Sequence, residues 1–398
     1  MAALLTDGGA VPTSTLTDQG SVIRALNEYR DRGRASFLEE HDFGPAKQYF
    51  LQFEGTLYDA KAIANVAYLH QHGSSAEPPI SGGQFHSNRL LEQLGFVIVD
   101  SRPTTVDGER IWRMALWDHL RSHYDLTQLP AQVLRDFGAY GGGQGIWLDA
   151  ERTRSIHRSG ITVGVLHTGA HYPDDLGEHS VLYQYPKTDR PGRRDESEIT
   201  ATKTAASLRL PIFVIAKPTP HSRVRIVRLA WVEGWEDESE QFLITYAEDA
   251  PRRILHRDDS DQEPFQLRDT SRRRRQRAVH DRPGQPRFKL QVFHRYGPRC
   301  PLTGIAVPQM IEAAHLCPVA EGGSDDPRNG LPLSAGLHRA FDAHLFTIHP
   351  ETLNVITRPG GPTAADLHIT IPHLRDLIRK PQREALDHRY QTSLERWS

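Results

Sequence analysis

IEAAHLCPVAEGGSDDPRNGLPLSAGLHRAFD, residues 311–342, decides how this chain is read. A short run with β pattern ends on His315, a loop rich in Gly and Asp closes on Asn329-Gly330, and a second short apolar run leads into a segment with helical pattern that carries His338 and Asp342. Positions four apart lie on one helix face, so the side chains of His338 and Asp342 are directed toward the same point in space. Imidazole titrates close to working pH, which suits His315 to accepting a proton. Gly330 after Asn329 permits a tight turn.

With Cys300-Pro-Leu-Thr-Gly304 ahead of it, this run resembles the HNH endonuclease family, in its modification-dependent, McrA-like branch, over about 287–350. The resemblance implies a ββα-metal nuclease domain that hydrolyses phosphodiester bonds. Within it His315 would act as general base, Asn329 would brace the loop opposite that base, and His338 and Asp342 would ligate a divalent ion, Mg²⁺ or Mn²⁺. The expected catalytic set is therefore His315, Asn329 and His338. A divalent cation offsets the charge that builds on phosphoryl and leaving-group oxygens. One departure stands out: many family members carry a metal ligand directly before the catalytic histidine, where this chain has Ala314. Glu312, on the same face of the strand, is one candidate substitute, and water is another. Cys300 and Cys317 are expected to pack in a small core. The paired cysteines of many relatives are missing, so no structural zinc is expected.

A chain of 398 residues exceeds what one hydrophobic core supports, and its 38% hydrophobic and 25% charged residues are ordinary for folded protein. The expected architecture is α+β and multidomain. Residues 1–17 read as a flexible tail, 18–108 as a small α/β N-terminal domain, and 109–130 as a helical connector. Residues 131–255 read as a β-rich domain, 256–286 as a basic linker, and 287–398 as the nuclease domain. The N-terminal helix is predicted from Asp18, with Val22, Ala25, Leu26 and Tyr29 on its apolar face and Gly33 at its end. A capping box, Asp195 with Glu198, predicts a helix inside the β-rich stretch. No run of about 18 apolar residues and no signal-like segment occurs, so the expected location is the cytoplasm. The net charge of -2 argues against a phosphate-binding protein until its distribution is read. Arg272, Arg273, Arg274 and Arg275, with Arg268 and Arg277 beside them, concentrate positive charge directly ahead of the nuclease motif, as a DNA-backbone contact requires.

The run ITVGVLHTGAHYPDD, residues 161–175, followed by Tyr183-Gln-Tyr185, is similar to SRA-type domains, which flip a modified cytosine out of the duplex. A flipped base needs aromatic faces in place of lost stacking and a polar group on its Watson–Crick edge. Tyr172 and Tyr185 are the candidate sandwich, and Asp175 the acceptor for the exocyclic amine. Arg152, Arg154 and His157 are candidates for contacting phosphates or filling the vacated stack. Residues 20–100 are similar to the N-terminal region of other McrA-like proteins; they could touch DNA or serve packing, and no site is assigned there.

The reading expected from sequence is a type IV endonuclease that flips and reads 5-methyl- or 5-hydroxymethylcytosine in double-stranded DNA and cuts by a histidine and metal mechanism. One HNH centre cuts one strand, so a homodimer is expected. The rivals are an HNH endonuclease indifferent to modification, and an inactive reader or repressor, which Ala314 keeps open.

Overall fold

The computed structural model describes residues 15–141, 145–167, 175–176, 179–188, 192–219, 221–251, 260–269 and 285–398, without the side chains of 175, 176 and 260. The chain divides into two compact units: Met1–Gly142 with Asp149–Ile161 and Arg223–Val227, and Gly143–Leu148 with Thr162–Ser222 and Arg228–Ser398. Among the described residues, no helix is long and apolar enough to cross a membrane.

In the first unit, α1 (Gln19–Arg32) begins where the Asp18 carboxylate accepts from the Gly20 amide, and ends at Gly33, whose φ of 77° carries the chain out of the helix. Its Val22, Ala25, Leu26 and Tyr29 are buried, as the periodicity predicts, together with Ile63, Val66 and Ala67 of α3 (Ala60–His72). Between them lie α2 (Arg34–Glu40) and the hairpin β1 (Tyr49–Phe53) and β2 (Thr56–Asp59). After α4 (Ser87–Gln93), β3 (Val97–Asp100) pairs with β1, giving the antiparallel order β2-β1-β3 with Leu51 opposite both Tyr58 and Ile98. Buried Asp59 is fully used: Tyr29 Oη donates at 2.6 Å, and Arg34 closes a two-pronged bond at 2.8 and 2.9 Å.

The helix α5 (Val106–His123) is a core element of this unit, burying Trp112, Leu116 and Leu120 and, on the same face, the charged pair Glu109 and Arg113. Arg113 Nε donates to Glu109 at 2.7 Å, and Arg152 of α7 (Ala150–Thr153) closes the cluster at 2.8 Å, with β4 (Leu129–Pro130) and α6 (Ala131–Asp136) intervening in sequence. Arg152 is therefore committed to Glu109 and Asp149, which corrects its candidacy as a phosphate contact.

The second unit holds a sheet in the order β5-β6-β9-β10-β11-β8-β7: β5 (Ile146–Leu148), β6 (Thr162–His167), β7 (Asp175–Leu176), β8 (Ser180–Gln184), β9 (Ile212–Ala216), β10 (Val224–Glu236) and β11 (Gln241–Tyr246). β6 and β9 run parallel, with α8 (Arg194–Ser207) between them in the chain. The first residues of β10 belong to the other unit, where Val224 opposes Pro130 of β4. The predicted capping box does not form. The N-cap is Arg193, held left-handed at φ 54°, while the Asp195 carboxylate turns to the Thr188 amide and hydroxyl, both at 2.6 Å. Two donors from Thr188 outcompete a single helix amide. Glu198 is buried and faces Arg194.

The same unit continues into α9 (Gln285–Tyr296), the hairpin β12 (Ile311–His315) and β13 (Gly330–Ser334), α10 (Ala335–Asp342), the hairpin β14 (Phe346–Ile348) and β15 (Val355–Thr357), and α11 (Arg383–Trp397). Phe288, Val292 and Phe293 of α9 close one core with Ala314, Leu316, Leu331, Leu333, Phe341 and Cys300.

Candidate active site

β12 and β13 pair antiparallel with Ala314 opposite Leu331 and His315 opposite Gly330, and α10 follows β13 directly, with Ser334, the last residue of β13, at its N-cap. Ala314 is fully buried and offers no donor, and Glu312, two residues before it on the same strand, is the carboxylate that meets His338. Gly330 is extended at φ -129°, so it makes no tight turn, contrary to the expectation from sequence. Its reason is proximity: a Cβ there would sit 2.6 Å from Val292 Cγ2 and 2.7 Å from Phe288 Cζ.

That close approach puts the Phe288 ring against His315, stacked at 3.7 Å between centroids and 11° between planes. His315 Nε2 lies 3.2 Å from Asp325 Oδ1. A carboxylate only accepts, so this contact selects the tautomer with its proton on Nε2 and its lone pair on Nδ1. Asn329 is fully buried. Its Oδ1 accepts from the Cys317 amide at 2.9 Å, and its Nδ2 donates to the carbonyls of Cys317 at 3.1 Å and Ser324 at 2.9 Å. Asn329 thus spans the loop between Cys317 and itself and fixes the segment that carries Asp325.

His338 extends from α10 to the strand that ends on His315. Its Nδ1 is 2.7 Å from Glu312 Oε2, and its Nε2 is 3.4 Å from Asp342 Oδ2. Neutral imidazole has one N–H, so one of the two carboxylates faces a ring lone pair. A divalent cation at Nε2 resolves that opposition, with Glu312 accepting the Nδ1 proton and Asp342 beside the ion, and an imidazole with a carboxylate is a donor pair that Mg²⁺ or Mn²⁺ accepts. His338 Nε2 and Asp342 therefore fit such an ion, with Glu312 orienting the ring from Nδ1, and Asp342, the most exposed of the three, opens the pair to solvent.

Sequence reasoning singled out His315, Asn329, His338 and Asp342, and the structure brings them onto one hairpin and helix. Missed were Phe288 and Asp325, although the acidic pair Asp325-Asp326 beside Asn329 was a visible signal.

The reader candidates are placed differently. Tyr172 lies outside the described residues, and so do Arg272, Arg273, Arg274 and Arg275. Asp175 is described by its backbone alone, paired with Leu182. Tyr185 is 6% exposed, with its ring 4.5 Å from that of Phe242, the Lys203 ammonium 5.5 Å from its centroid, and its hydroxyl donating to Asp237 at 2.9 Å. Burial, then the Asp237 carboxylate, pushes its phenol well above the usual range. To stack on a base, Tyr185 would have to leave these contacts.

A family model described as HNH endonuclease matches residues 300–349, and one described as ScoMcrA-like, N-terminal head domain, matches residues 14–100. No curated protein matches the chain. Among solved structures, "Modification dependent TagI restriction endonuclease" is similar at 19% identity and a TM-score of 0.29, covering 67% of this chain and 90% of that one. "Structure of the Type IV phosphorothioation-dependent restriction endonuclease ScoMcrA" is similar at 14% identity and a TM-score of 0.22, covering 80% of this chain and 94% of that one. Likenesses this distant carry no argument about the site.

Proposed function

We propose that this chain, an endonuclease with an HNH domain and a ScoMcrA-like head, is a type IV restriction enzyme that cuts double-stranded DNA bearing modified cytosine. The observation that carries the nuclease part is one hairpin and helix holding His315 at the end of a strand whose Glu312 meets His338. His315 takes the proton of the attacking water at Nδ1, with Asp325 and stacked Phe288 fixing the ring. Asn329 holds the loop that presents Asp325. His338 and Asp342 would hold the divalent ion, with Glu312 orienting the His338 ring, and the ion offsets charge on the phosphoryl oxygens when bound.

The reader assignment rests on sequence: Tyr172, Asp175 and Tyr185 follow the SRA pattern, in a stretch that folds as a sheet with one long helix. Arg272 to Arg275 contact the DNA backbone. Two protomers, one per strand, make the double-strand cut.

The experiment is digestion of matched plasmids, unmodified or carrying 5-methylcytosine, 5-hydroxymethylcytosine or phosphorothioate linkages, with Mg²⁺ or Mn²⁺. Linearisation of cytosine-modified plasmid alone, abolished in His315→Ala with binding retained, is the expected result. Equal cutting of unmodified plasmid removes the modification dependence, and preference for phosphorothioated plasmid replaces the cytosine reading. Failure to cut any substrate removes the nuclease reading in favour of a binding protein.

A further inference from the structure

The loop after His315 carries a second set of metal-type donors that the reaction does not use. Cys317 Sγ, a Glu321 carboxylate oxygen and a His388 ring nitrogen all lie within 4.8 Å of one another. His388 Nε2 is 2.9 Å from Glu321 Oε2, and Cys317 is fully buried beside them. We infer that Cys317, Glu321 and His388 bind a soft divalent cation of the zinc class, which pins the C-terminal helix α11 to the loop that presents Asp325 to His315.

The backbone holds these donors in place without an ion. Cys317 is gripped at its amide and carbonyl by Asn329. The chain then turns sharply: the Glu321 and Gly323 amides both donate to the Pro318 carbonyl, at 2.9 and 3.0 Å. The turn is so tight that a Cβ on Gly323 would fall 1.9 Å from the Cys317 carbonyl oxygen, so only glycine lets Glu321 fold back over the cysteine. Outside it, the Asp269 amide donates to Gly322 and the Ser324 amide to Leu267, which clamps the turn from the other edge. His388 arrives on α11, whose Ala385, Leu386 and Arg389 are buried and whose first turn is tied to the same loop by the Gln382 amide donating to Arg328. Three donors on two fixed elements are a preorganised site.

Thiolate, imidazole and carboxylate together are a zinc-type set, and three protein ligands leave a fourth position for water. Binding releases the thiol proton to solvent as the sulfur–metal bond forms. Exposed Arg268, whose guanidinium reaches Cys317, swings away when the cation takes its place. The active-site set of His338, Glu312 and Asp342 contains no sulfur, so a spectroscopic signature from sulfur reports this second site alone.

The test is titration of the chelator-treated full-length protein with Co²⁺, read by the near-ultraviolet sulfur-to-cobalt charge-transfer band, with Zn²⁺ competition and thermal midpoints in parallel. One equivalent should develop the band, and Zn²⁺ should displace it and raise the wild-type midpoint. Cys317→Ser should abolish the band, and Glu321→Gln and His388→Ala should each weaken Co²⁺ binding by about tenfold or more. Cys300→Ser and His338→Ala should keep it. Absence of the band in wild type overturns the site, as does a band that survives Glu321→Gln and His388→Ala at unchanged affinity. Should Cys317→Ser fail to fold, those two variants, at partly exposed positions, decide alone.

Discussion

His338, with a carboxylate at each ring nitrogen, is the residue on which the affinity for the proposed ion turns. Glu312→Gln keeps the size of the side chain and removes its charge, so the Mg²⁺ or Mn²⁺ concentration giving half-maximal cleavage should rise roughly 10–100-fold. An unchanged metal demand would take Glu312 out of the site. His344 makes the opposite use of an imidazole. It is buried, bonded through Nδ1 to Ser393 Oγ at 2.9 Å, and burial, then the charges of Arg389 and Arg396, holds its pKa down at about 4, against 6.5 for the free group. The unfolded chain takes up this proton near pH 6.5 and the folded chain only near pH 4. The stability contribution of neutral His344 is therefore complete above pH 6.5 and falls through that window. By pH 5 the loss should be about 2 kcal/mol. Urea unfolding at pH 7 and pH 5 checks this, and His344→Gln should flatten the difference. Histidine and asparagine in the motif were legible because polar side chains interrupt an apolar pattern at fixed places. Phe288 was not, since an apolar residue on an amphipathic helix gives no sign of which ring it will cover. Tyr185 gave no sign of its neighbours for a related reason: a strand tyrosine reads the same whatever its hydroxyl meets, here Asp237.

Elements were legible where the pattern is local. The helix capped by Asp18, the five longer strands of the second unit's sheet, and the hairpin carrying His315 follow from periodicity and turn residues. α8 defeated this logic at its first turn because the partner of Asp195, Thr188, lies outside the helix. α5 is another lesson, for its buried face carries Glu109 and Arg113 among tryptophans and leucines. Glu109→Ala strands the fully buried Arg113 guanidinium, and should cost about 3–5 kcal/mol in chemical denaturation. A change below 1 kcal/mol would mean that Arg113 finds another partner. In the nuclease element, Asn329→Ala leaves the Cys317 amide and two carbonyls without their partner, so a loss of about 2–4 kcal/mol is expected beside loss of cleavage. Full activity in a destabilised Asn329→Ala protein would separate the brace from the chemistry. α9 joins the two parts of the second unit: Arg287 pairs with Glu233, and His294 meets the Trp235 carbonyl at 2.8 Å, while Phe288 covers His315. The sheet that precedes the nuclease domain and the proposed base thus share one rigid helix.

At the scale of the whole molecule, a net charge of -2 is compatible with DNA binding only because the positive charge is concentrated. Replacing Arg272, Arg273, Arg274 and Arg275 with Gln should therefore lower affinity for modified and plain duplex alike. The slope of log affinity against log salt should shrink by about 3–4, since each phosphate that is no longer neutralised removes about 0.9. An unchanged slope would place DNA elsewhere. The spans read from sequence are continuous, whereas the units are not. Composition shifts mark where one kind of segment gives way to another, and carry no sign that a strand such as β10 starts in one unit and finishes in the other. That strand also orders events on the ribosome. The first unit needs Arg223–Val227, whose Val224 and Arg225 pair with Pro130 and Leu129, so it stays incomplete until β5 to β9 of the second unit have been made. At about 5–20 residues per second, Leu129 and Pro130 wait several seconds for their partners on β10. Nascent chains stalled before residue 223 should therefore be protease-sensitive around Leu129, and chains stalled beyond β10 protected there.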